Sequence, residues 1–106
     1  MATLKHNITT VLTQNLLSAG DNISQAKSIT IANVDSSNDA EVDLFLNKGD
    51  DNFYILKRVE IPHKNTLVLG PEDNIAFDNS TNGYSMRIQV DNGSGAATAV
   101  DVIIKR

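Results

Sequence analysis

Apolar residues recur at every second position along most of this chain, and that period decides its fold class. In residues 28–33, Ile29 and Ile31 alternate with Ser28 and Thr30. In residues 41–46, Val42, Leu44 and Leu46 alternate with Glu41 and Asp43, which places Phe45 on the outward side. Residues 53–61 form a longer, mixed run, with Tyr54 and Leu56 on one face and Phe53 and Ile55 on the other; residues 66–69 form a short one. Met86, Ile88 and Val90 share a face opposite Arg87 and Gln89, and Val100, Val102 and Ile104 share a face along the last run. A two-residue period rich in β-branched side chains is the pattern of a half-buried strand.

Clusters of Asp, Asn, Ser and Gly separate these runs, at residues 35–39, 48–52, 70–74, 78–83 and 91–95. Gly and Asn tolerate positive φ, and Asp, Asn and Ser hydrogen-bond to nearby main chain, so such clusters reverse the chain. Strands and turns at this spacing predict one all-β domain, an antiparallel β-sandwich of jelly-roll or Ig-like form, since two facing sheets bury one side of every strand. Residues 91–99 are small and polar and are expected at the tip of a hairpin joining the last two strands.

The sandwich core is expected over residues 28–106, with residues 1–27 as an N-terminal arm or edge strand. Residues 4–12 suggest a strand rich in Thr and Val, while Leu12 and Leu16, four apart before Gly20, also fit a short helix. Leu16 and Leu17 need cover from this domain or from a neighbour.

A net charge of −4 argues against nonspecific nucleic-acid binding, which needs a basic face, and against a helix lying on an anionic membrane. No run approaches the ~20 apolar residues of a membrane-spanning helix. The opening residues lack the apolar stretch of a secretory signal, so export by that route is not expected. With no cysteine there are no disulfides, thiolate nucleophiles or zinc–cysteine sites.

Catalytic chemistry finds little support. His6 and His63 have no nucleophile or metal-ligand partner at motif spacing, and His63, just after Pro62, reads as a solvent-facing turn residue. Glu41 and Asp43 project from one side of a strand, where a solvated face explains them. Loop carboxylates such as Asp35, Asp50, Asp73 and Asp78 could attract calcium, yet Asp is common in turns for main-chain reasons and no EF-hand spacing is present. We expect no catalytic residues, no cofactor and no metal. The four Asn-x-Ser/Thr triplets, at Asn7, Asn22, Asn79 and Asn92, are explained by composition. The residues expected to make contacts are Phe45, Leu16, Leu17, and the terminal basic pair Lys105 and Arg106, which could dock on an acidic neighbour. Phe45 is also the aromatic best placed to stack on a sugar, with packing on the N-terminal segment or on a partner subunit as the favoured alternative.

One passage runs from residues 29–33 through 42–46 to Phe53-Tyr54-Ile55-Leu56, then Ile61-Pro62, the strand at 66–69, the turn at 70–75 and the closing Val100-Asp101-Val102-Ile103-Ile104. Over residues 28–106 this layout resembles small virion structural proteins of tailed bacteriophages, particularly marine ones. The resemblance implies a β-sandwich carried in many copies on the particle. The implied role is capsid decoration, bracing contacts of the major capsid protein or other virion proteins; a neck or tail component is the alternative. It implies a homo-oligomer, with a trimer as one form, assembled in the host cytoplasm and located on the virion. A carbohydrate- or receptor-binding sandwich is the competing class.

Overall fold

Strands form where the two-residue period is strongest, and every pairing between them is antiparallel. The computed structural model describes residues 3–23, 25–73 and 75–105. In chain order the strands are β1 (Thr3–Ile8), β2 (Gln14–Leu17), β3 (Gln25–Ala26), β4 (Ser28–Asn33), β5 (Ala40–Lys48), β6 (Asp51–Ile61), β7 (Thr66–Leu69), β8 (Ile75–Ala76), β9 (Ser85–Asp91) and β10 (Val100–Lys105).

The longer strands make two four-stranded sheets, ordered β1-β10-β4-β7 and β2-β9-β5-β6, while β3 and β8 pair by themselves. Among the described residues only β5 and β6 join as a hairpin, and every other step between long strands passes from one sheet to the other. That wiring is a jelly roll, one of the two sandwich forms the sequence predicts. Gly49, at φ +61°, occupies the first of two turn positions between Lys48 and Asp51, the place where a tight hairpin turn needs a residue free of Cβ strain.

The alternating aliphatics meet between the sheets. Ile29, Ile31, Val100, Val102 and Ile104 from the first sheet, and Val42, Leu44, Met86, Ile88 and Val90 from the second, belong to one cluster and are fully buried. Each such side chain stabilises the fold by about 1.5–3 kcal/mol relative to exposure.

Two expectations are corrected. The strand expected at residues 4–12 stops at Ile8, because the chain must leave the first sheet and enter the second before Gln14; topology overrides the local Thr/Val preference, and Leu12 is left exposed. Within residues 1–27, β1 and β2 are edge strands of the two sheets, and Ile8, Leu16 and Leu17 join the core. Residues 92–99 do not form a hairpin tip, because β9 and β10 lie in different sheets. This crossing is held by the Asn92 carboxamide oxygen, which accepts the N–H groups of Ser94 and Ala96 at 2.8 and 3.2 Å.

Two buried asparagines tie the crossings down. Asn33 donates to the carbonyls of Asn38 and Ile61, both at 2.9 Å, and accepts from the Asp35 N–H at 3.0 Å. Asn79 donates to the carbonyls of Ser18 and Tyr84 and accepts the Ile23 N–H. Main-chain groups in crossings cannot use a ladder, and these carboxamides satisfy them inside the protein.

Candidate functional site

The sandwich presents two outer faces of different chemistry. On the second sheet, the register sets Asn15, Arg87, Phe45 and Tyr54 in one cross-strand row and Asp91, Glu41 and Glu60 in another. Between them β6 bulges: Val42 faces Val59 but Leu44 faces Leu56, so Lys57 and Arg58 together oppose Asp43. Arg58 takes a left-handed conformation, φ +51°, and its main-chain N–H donates to Asp43 Oδ1 at 2.7 Å. Its guanidinium Nη2 lies 3.1 Å from Glu41 Oε1, and Lys57 Nζ lies 3.8 Å from Asp43 Oδ2. The acidic strand face expected to be merely solvated is thus partly neutralised by two cations delivered by one bulge.

Glu41, Asp43, Arg58, Gln89 and Asp91 line a hollow of about 80 Å³ on this face. It has room for a few waters only and is far below the roughly 300 Å³ at which small-molecule sites begin. Its carboxylates are already engaged: Asp43 and Glu41 as above, and Asp91 Oδ1 accepts the Gly93 N–H at 2.9 Å. Gly93, at φ +89°, lies so close to Glu41 that a Cβ there would collide with the carboxylate.

Phe45 does point outward from β5, but it is 5% exposed. Tyr54, on the neighbouring strand, covers it at 5.1 Å between ring centroids, and Lys57 Nζ sits 4.2 Å from the Tyr54 centroid on this same face. Phe45 is therefore unavailable to stack on a sugar, which corrects the expectation. The exposed aromatics are Phe53 and Tyr54, at 53% and 45%, and Phe53 packs edge-on against Tyr84 at 5.8 Å. The mixed run at residues 53–61 left either face open, and its place at a sheet edge is what exposes both rings.

Leu16 and Leu17 are also removed from the set of contact residues. A bulge between Asn15 and Leu17 turns both leucines into the domain's own core, where they are 5% and 0% exposed. Lys105 is exposed at the end of β10, and Arg106 lies outside the described residues.

The outer face of the first sheet is mostly neutral. Its rows run Lys5, Ile103, Thr30, Val68 and Asn7, Asp101, Ala32, Thr66 across β1, β10, β4 and β7. Charge gathers at the β1 side, where the Asn7 carboxamide donates to Asp101 at 2.6 Å. Towards β7 the surface is Thr30, Ala32, Thr66 and Val68, and Val68 is 57% exposed.

His63 lies at the start of the turn after β6, exposed, with its N–H donating to Asp39 Oδ1 at 3.1 Å and its ring Nδ1 3.5 Å from the same oxygen. Loop carboxylates are spent on turns. Asp35 Oδ1 accepts from Ser37 and Asn38, Asp73 from Gly70, and Asp78 from Ser80. Hydrogen bonds to the charged form hold the Asp35 carboxyl below its ordinary range, through Ser37 and Asn38, and Asp78 likewise, through Ser80. Among the described residues no three His, Asp or Glu side chains gather as metal ligands would. Asn79, in one of the glycosylation triplets, is buried with both ends of its carboxamide bonded.

No protein-family model matches the chain, and no curated protein matches it. Among solved structures it is similar to the Yersinia pseudotuberculosis-derived mitogen, at 14% identity and a TM-score of 0.49, over 98% of this chain and 83% of that one.

Proposed function

We propose that the chain is a non-enzymatic structural subunit of a phage particle, a decoration protein that braces contacts between copies of the major capsid protein. The observation that carries this reading is the neutral β7 side of the first sheet's outer face, where half-buried Thr30 and Ala32 lie beside exposed Thr66 and Val68. A surface without charged side chains loses little hydration when another protein docks on it. The jelly-roll frame suits the role, because capsid domains are among its recurrent uses, although the frame by itself does not assign a function. Crossings pinned by Asn33 and Asn79 make a stiff module, and many weak, symmetric contacts on a lattice add up through multivalency.

Co-sedimentation of the purified protein with assembled capsids that lack it tests the reading. Saturable binding is expected, and Thr30→Arg, in the middle of the neutral face, is expected to weaken it with the fold intact. Absence of binding, together with absence of the protein from purified particles, overturns it. Immunogold labelling of particles separates head decoration from a neck or tail position.

A second reading, a carbohydrate- or receptor-binding module, is favoured by Phe53 and Tyr54, whose rings are about half exposed at the edge of the second sheet. A glycan array supports it only if hits are lost in Phe53→Ala.

A further inference from the structure

A sandwich of this wiring has four free edges, β1, β2, β6 and β7, and an exposed edge invites pairing with another strand unless something blunts it. Three of the four carry such a device. β1 has Lys5 and His6; β2 is bulged at Leu16; β6 is bulged twice and carries Lys57 and Arg58. β7, Thr66-Leu67-Val68-Leu69, is limited only by its length of four residues: it has no charge, no proline and an unbroken register against β4.

The free side of β7 can be derived from its paired side. Asn33 N–H donates to Asn65 O at 2.9 Å, just beyond the end of β7. Alternate pairs in an antiparallel ladder exchange hydrogen bonds, so Leu67 and Leu69 turn their main-chain groups towards β4, and Thr66 and Val68 turn theirs to the open edge. Both residues are also exposed on the neutral face.

We propose that β7 pairs antiparallel with β7 of a second copy of this chain, joining two first sheets into one eight-stranded sheet across a two-fold axis at Leu67. Only residues whose main-chain groups face the edge can bond across it, and setting Thr66 opposite Val68 of the second copy and Val68 opposite its Thr66 is the register that uses both such residues of each strand. The same register sets Lys64 beside the Gly70 turn of the other chain, where Glu72 and Asp73 are exposed. The charges at the two ends of β7 are opposite, so an antiparallel copy meets attraction at both ends, whereas a parallel one meets repulsion. The neutral faces of the two copies become continuous, with Thr66–Val68 cross-strand pairs at the seam. This contact deepens the structural-subunit reading by naming the surface of self-association, but it does not need the virion to form.

Sedimentation equilibrium of the full chain over a range of concentrations tests it. The wild type is expected to be a reversible dimer. Val68→Lys and Lys64→Glu are each expected to raise the dimer dissociation constant about tenfold or more, and Lys64→Glu combined with Glu72→Lys to recover most of that loss. Circular dichroism of each variant checks the fold; Lys64 and Glu72 lie in exposed turns, so the charge-swap set stands even if Val68→Lys does not fold. A wild type that is monomeric throughout, or a dimer indifferent to these changes, overturns the proposal. A dimer that ignores capsids leaves this contact standing and removes the decoration role; a monomer that coats capsids does the reverse.

Discussion

Asn79 and Ile23 lie 56 residues apart in the chain, yet the Asn79 carboxamide oxygen accepts the Ile23 main-chain N–H at 2.9 Å. The same side chain donates to Ser18 and Tyr84, and its own carbonyl accepts the N–H groups of Gly20 and Asn22 at 3.0 and 3.1 Å. One residue thus fastens the crossing after β2 to the crossing before β9. Asn79→Ala strands one buried main-chain group, the Ile23 N–H, and two part-buried ones, the Ser18 and Tyr84 carbonyls, each costing up to about 1–3 kcal/mol unless water reaches it. We predict a total loss of about 2–4 kcal/mol, read as a lower urea midpoint with an unchanged slope. A loss below about 1 kcal/mol would mean that water replaces the carboxamide.

At the β6 bulge the conformation of Arg58, not its charge, is predicted to govern stability. A left-handed φ costs a non-glycine residue about 1–2 kcal/mol, whereas an exposed ion pair such as Arg58–Glu41 contributes about 0–1 kcal/mol. Arg58→Gly removes both and is expected within about 0.5 kcal/mol of the wild type. Arg58→Val keeps the strained φ in a β-branched residue and is expected to lose about 2 kcal/mol. Equal losses in the two variants, measured by urea unfolding, would show that the ion pair matters more.

The sequence made the sheets legible and left the crossings obscure, and the reason is physical. Val42, Leu44, Met86, Ile88, Val90, Val100, Val102 and Ile104 all face the core as their spacing predicts, because burial on one side of a strand leaves a period of two. Register shifts break that period. Leu16 and Leu17 are adjacent and both buried only because β2 bulges between Asn15 and Leu17, and nothing in the residues themselves signals an inserted position. Strand partners were equally hidden: residues 91–99 have hairpin composition, but whether β10 joins β9 or crosses to β1 and β4 depends on long-range pairing. Phe45 was placed on the correct side of its strand, and its concealment depends on Tyr54, brought opposite by a second register shift in β6. Asn33 and Asn79 look like ordinary turn residues, and only burial distinguishes them.

Acid should destabilise the fold through Asp35 and Asp78. The main-chain N–H groups of Ser37 and Asn38 bond the charged Asp35 carboxylate, and the Ser80 hydroxyl and then its N–H bond that of Asp78, so both folded pKa values lie below the ordinary 3.8. Between the folded and unfolded pKa values the unfolded chain binds more protons, and stability therefore rises with pH there. The contribution is fully present above the unfolded value and is lost as pH falls through the folded one. Urea midpoints measured from pH 2 to pH 6 are expected to climb most steeply below about pH 4, and Asp35→Asn to flatten that slope. An unchanged slope in Asp35→Asn would show that other carboxylates dominate the acid transition.

Phe45 should matter to folding and not to recognition. Its ring is 5% exposed under Tyr54, on the outside of the second sheet, so truncation opens a void that the cover of Tyr54 and Lys57 only partly closes. Phe45→Ala is expected to cost about 2–4 kcal/mol, at or just below the range for a buried aromatic, because this site can collapse from the solvent side. Phe45→Leu keeps most of the volume and should cost under about 1.5 kcal/mol. Tyr54→Ala gives the complementary reading: the Tyr54 ring is 45% exposed, so its own loss costs less than that of Phe45, yet it uncovers Phe45 and should raise binding of a hydrophobic dye. If Phe45→Ala instead leaves the thermal midpoint unmoved while abolishing contact with capsids or glycans, the ring is a recognition element that must swing out from beneath Tyr54, and its assignment to packing is wrong.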